Sequence, residues 1–145
     1  MAGSVASALA ALAFSRAENG HAARPINAIS HIYDGAEPPP AHNGRGCRNT
    51  LLGATIHTAA SVWWAIFYEA SAPRKPREAI ATAAAISTLA YYVDYHVVHR
   101  RFRPGFEAHL SPRGLFAVYA GLAAGFAAAA LVMPRSSGRR AGRSA

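Results

Sequence analysis

GLFAVYAGLAAGFAAAALVM, residues 114 to 133, is the stretch that decides the fold. Twenty residues without a charge make a helix about 30 Å long at 1.5 Å per residue, the thickness of a bilayer's hydrocarbon core. Ser111-Pro112 ahead of it suits an N-cap and first-turn proline, and Pro134-Arg135 ends it. Working outward, Leu51 to Ala72 is a second apolar span, interrupted by His57 and Glu69. Ala79 to Val98 is a third, interrupted by Asp94 and His96, with Pro76 and Glu78 suited to its start. The chain from Ala72 to Arg77 is too short to do anything but turn, so these two spans form an antiparallel hairpin. A shorter run over 2–16 reads as a first span whose Arg16 snorkels toward water, since no basic residues precede it as they would a signal peptide.

The expected fold is therefore all-α: one integral membrane domain over 1–134, a bundle of four transmembrane helices at about 2–16, 51–72, 79–98 and 114–133. Residues 17–50 form a long loop with a short interfacial helix over 26–33 and irregular chain at Pro38-Pro39-Pro40 and 43–46. Residues 135–145 read as a disordered basic tail.

Composition agrees. Only 15% of the 145 residues are charged, where a soluble domain carries about a quarter. The net charge of +8 sits in short clusters beside the apolar runs, Arg74-Lys75-Arg77, Arg100-Arg101-Arg103 and Arg135 to Arg143. That placement suits anchoring to anionic lipid and argues against nucleic acid. The dense arginines of the 72–77 turn and the tail put that turn and both termini on the cytoplasmic side. The single Cys47 excludes an internal disulfide and a cysteine-based metal centre.

Three strings, GHAARPINAISHIYDG (20–35), TIHTAASVWWAIFYE (55–69) and VDYHVVHRRFRPGFEAHLS (93–111), resemble a group of small uncharacterised bacterial inner-membrane proteins. The resemblance covers most of residues 17 to 120 in the same order. It implies four spans in the bacterial inner membrane, the first ending near Ala17-Glu18-Asn19-Gly20, and it implies no activity.

Asp94 is the residue such a span must explain. A hairpin centred near residue 75 sets His57 level with it, and a loop centred near 106 brings Tyr119 to the same depth. His57, Asp94 and Tyr119 thus form a polar layer roughly 6–9 Å inside the boundary. Small residues on the same faces, among them Ala83 and Ser87 near Asp94 and Gly53 and Ser61 near His57, permit close helix approach. Ala117, Gly121 and Gly125 repeat at i, i+4 as a second packing stripe, of a kind that more often packs within one chain than between two.

These features favour a structural or accessory membrane component with no catalytic residues and no resident cofactor. Its partners are the lipid bilayer and another membrane protein or a second copy of itself. Ser61 lies at i, i+4 from His57, but such pairs are common in serine-rich helices and do not make a catalytic site. The alternative is a proton- or ion-linked transport component using Asp94 and His57, because an ionisable group below the interface is costly. A second alternative is a metal- or haem-binding subunit with His57, His96 and His99 as ligands, since imidazole suits iron, copper and zinc. Asp94 and His96 point about 200° apart on a helix, so haem ligation by His57 and His96 would compete with the Asp94 pairing.

Overall fold

The structure, a computed structural model, describes residues 1–34, 46–71, 73 and 75–132. The expected basic tail over 135–145 and the irregular chain over 38–45 lie outside the described residues. Of the described residues 84% are helical, and none is in a strand. Four longer helices run in the order α1 (Ala2–Asn19), α4 (Cys47–Ala70), α5 (Pro76–Tyr92) and α6 (Pro112–Val132). Two short ones, α2 (Arg24–Ala28) and α3 (His31–Asp34), lie between α1 and α4. Among the described residues α4 and α6 are long and apolar enough to cross a membrane; α1 and α5, at 18 and 17 residues, fall short by length or composition.

Local chemistry sets the helix ends. Gly20 closes α1 in the left-handed region at φ 71°, its N–H donating to the Arg16 carbonyl at 3.0 Å. That conformation is cheap only for glycine. Lys75 N–H donates to Glu78 Oε2 at 3.1 Å, and Pro76 occupies the first turn of α5, where a missing N–H costs nothing. Ser111 Oγ accepts from Gly114 N–H at 3.2 Å and caps α6.

Helix α6 is central, flanked by α1 and α5, its two most extensive neighbours. It runs antiparallel to α1, and small residues let the two backbones touch. A methyl added at Gly121 would lie 2.9 Å from the Ala6 carbonyl oxygen. One added at Gly125 would collide with Gly3 Cα and lie 2.5 Å from the Ala2 carbonyl oxygen. Tyr68 of α4, almost wholly buried, stacks on Phe126 of α6 at 5.3 Å.

Residues 24–34 do more than skim a surface. Pro25 through His31 are all buried, and α2 packs on α4 and α1. The contact is backbone to backbone, for a Cβ at Gly53 would strike the Ile26 carbonyl. Thr50 Oγ1 donates to Asn27 Oδ1 at 2.7 Å beside it.

The third apolar run also differs from one uniform helix over 79–98. The α-helix stops at Tyr92, and Val93–Val97 continue as a π turn closed by Val98 N–H to the Val93 carbonyl at 2.8 Å. Gly125→Ala should lower the melting temperature in detergent by an amount corresponding to about 1–3 kcal/mol. Gly46→Ala, at the extended N-cap of α4 with nothing near it among the described residues, should cost clearly less, the loss of a weak cap alone, and comparison of the two melting curves checks the α1–α6 contact.

Candidate functional site

The π turn carries Asp94 and redirects it. A π turn widens the helix by one residue and often marks a functional position. Here it brings the Asp94 carboxylate to α6, where Tyr119 Oη donates to Oδ2 at 2.8 Å. The Tyr119 backbone is used as well, its carbonyl accepting from the buried Ser87 hydroxyl of α5. Asp94 and Tyr119 are thus brought together, and α5 and α6 are tied by two polar contacts through one residue.

His57 is satisfied elsewhere. Its Nε2 lies 3.0 Å from Ser7 Oγ and 3.2 Å from the Ser4 carbonyl of α1. Ser7 Oγ itself donates to the Gly3 carbonyl at 2.8 Å. An Nε2–H that donates to both α1 groups accounts for all of these distances, which leaves Nδ1 of a neutral ring as an acceptor. Ser4 Oγ and Thr58 Oγ1 add a further α1–α4 hydrogen bond at 3.2 Å. The ring of Phe106 meets His57 edge-on at 6.0 Å.

His57 and Asp94 do not bond each other, yet both line one cavity of about 100 Å³ beneath Phe102 and Phe106. Tyr95, adjacent to Asp94, is buried, and its hydroxyl has no hydrogen bond among the described residues. Its ring lies 6.2 Å from that of Tyr119.

The remaining histidines scatter. His96 is exposed and stacks on Tyr92 at 5.2 Å. His99 is exposed, its Nδ1 accepting from Arg101 N–H at 3.3 Å. Neither approaches His57, and no three His, Cys, Asp or Glu side chains converge among the described residues. The site residues of the second packing stripe separate in role: Gly121 and Gly125 meet the α1 backbone, whereas Ala117 is half-buried.

Sequence reasoning missed the α1 groups. Ser4, Ser7, Ala11 and Ser15 are all buried on one face of that helix. Their spacing of three and four residues is a visible stripe, and a polar helix partner was legible in it. It also missed a clamp at the opposite end of α1. There Glu18 accepts from Ser111 N–H at 2.9 Å and from Ser111 Oγ, and Asn19 Nδ2 donates to the His109 carbonyl at 2.6 Å. A carboxylate at the N-terminus of α6 also meets the positive end of the helix dipole.

Comparison with protein-family models, curated proteins and solved structures gives no match. The resemblance noted above rests on its three strings alone.

The clamp makes stability pH-dependent at this end of the bundle. The Ser111 hydroxyl and then its N–H hold the Glu18 carboxyl below its ordinary value of 4.5. Burial, and then Arg24, hold the His109 imidazole below 6.5. In both cases the unfolded chain binds protons more readily than the folded one, so stability falls as pH falls. Loss should begin below pH 6.5 through His109 and steepen below 4.5 through Glu18. Thermal melts of Glu18→Gln across that range should lack the second, more acidic part of the decline. A further melt checks the polar pair: Tyr119→Phe should cost about 1 kcal/mol, and less in an Asp94→Asn background.

Proposed function

We propose that this is a small multi-pass protein of the bacterial inner membrane in which α1, α4, α5 and α6 all cross the bilayer, serving as a structural or accessory component for the membrane or a partner protein within it. Only 17% of the apolar window of α4 and 28% of that of α6 is buried within the fold. A core helix of a water-soluble protein hides most of such a window, so these outward faces suit lipid. With its π turn, α5 reaches residue 97, and α1 is about 27 Å long, close to the bilayer core.

The observation that carries the accessory reading is the mutual satisfaction of polar groups between helices. Asp94 is met by Tyr119, His57 by Ser4 and Ser7, and Ser87 by the Tyr119 carbonyl. Such bonds tie membrane helices together without implying transport.

One feature favours a second reading, a proton-linked component: Asp94 and His57 share the walls of one cavity although they do not touch. Reconstitution into liposomes with a pH-sensitive dye inside separates the two. The accessory reading expects no proton movement from wild-type protein and only a modest loss of melting temperature in Asp94→Asn. Proton movement that disappears in a folded Asp94→Asn protein would establish the second.

Topology is tested independently. Reporters fused to the two ends of the chain should both report the cytoplasm if four helices cross. Opposite sides would mean an odd number of crossings and would remove α1 or α5 from the set.

A further inference from the structure

The cavity beside Asp94 has a chemistry of its own. Its volume of about 100 Å³ is smaller than the roughly 150 Å³ of an engineered apolar cavity that holds benzene, and it is partly open. Most of the wall is apolar, with Ile56 and Leu122 on two of its sides. Of its hydroxyls, Ser7 donates to the Gly3 carbonyl, Ser61 to the His57 carbonyl at 2.8 Å, and Tyr119 to Asp94. The hydroxyl donors are therefore spent, and the indole N–H of Trp64 is the remaining side-chain N–H on the wall besides His57. What remains is acceptor capacity: Asp94 Oδ1, which takes no hydrogen bond among the described residues, and the second ring nitrogen of His57.

Charge points the same way. No lysine or arginine lines the cavity, and Asp94 is in no ion pair among the described residues. A carboxylate removed from water without a cation is costly. Trp64, Phe102 and Phe106 contribute rings to the wall, and aromatic faces attract cations at close range. An anion would meet the Asp94 carboxylate with no cation beside it. A neutral alcohol would make a hydrogen bond but leave the charge uncompensated.

We infer that this cavity is a binding site for a small organic ammonium ion, a single protonated amine on a compact apolar body, with Asp94 as its counter-ion and the three aromatic rings as its walls. The amine supplies the positive charge that the wall lacks, and its hydrocarbon part occupies the apolar side and the opening. The inference rests on the cavity's geometry and holds for either reading of the protein's role.

The test compares two small probes of one shape, isobutylamine and isobutyl alcohol, by isothermal titration calorimetry of full-length protein in detergent near neutral pH. Saturable binding of the amine, about tenfold or more tighter than the alcohol, is expected. Asp94→Asn, with its helicity intact, should bring the two probes within about twofold of each other. Equal binding of amine and alcohol by wild-type protein would reduce the effect to partition into an apolar space and overturn the inference, as would absence of saturation. Retention of the amine preference in Asp94→Asn would overturn it too. Should that variant not fold, Ala60→Phe narrows the cavity from a partly lipid-facing position and is expected to abolish amine binding; unchanged affinity would sink the proposal.

Discussion

The backbone contact between α1 and α6 is the constraint on which the rest depends. Gly121 and Gly125 leave room for the α1 backbone at Ala2, Gly3 and Ala6, and a larger side chain at either would force the helices apart. Held that close, α1 presents Ser4 and Ser7 to α4, where they meet His57 and Thr58. The other flank of α6 receives α5 through Ser87 and Asp94. Moving α1 outward by the width of a methyl group would therefore disturb His57 as well, although His57 belongs to neither helix of the contact.

The π turn is the second organising feature. An α-helix continued through Val93–Val97 would step Asp94 and its successors round at about 100° per residue. The wider turn changes that phase in the segment that holds Asp94, Tyr95 and His96. One consequence is a separation of roles along three consecutive residues. Asp94 bonds α6, Tyr95 is buried against the Tyr119 ring, and His96 turns outward to stack on Tyr92.

Much of this was legible in the sequence, and the part that was not has a common cause. Apolar runs located α4, α5 and α6, and hairpin bookkeeping put Asp94 and Tyr119 at one depth because depth depends only on rise per residue. Which residues at one depth actually touch depends on rotation and lateral order. The hairpin arithmetic set His57 level with Asp94, but α1 occupies the side of α4 on which His57 projects and supplies its partners. No local rule in α1 announces that neighbour; the serine stripe says only that something polar or closely packed lies opposite. The short helix expected over 26–33 is two short helices, α2 and α3, and Gly53 admits the α2 backbone directly against α4, which buries Pro25 through His31. The π turn leaves no distinct signature in VDYHV, a segment whose Asp94 bonds Tyr119 of α6.

The pairing of α1 with α6 also bears on the order in which the bundle can assemble. Ribosomes deliver α1 about ninety residues before α6 begins, and the hairpin of α4 and α5 emerges in the interval. During that time Gly3 lacks the Phe126 ring against which it packs, and Glu18 lacks Ser111. The most intimate joint of the molecule is thus also its latest to form, and until then α1 carries its serine face without the α6 partner. Assembly is consequently a closing of a ring by its two distant ends, in which errors in the final helix are felt first by the one made at the start.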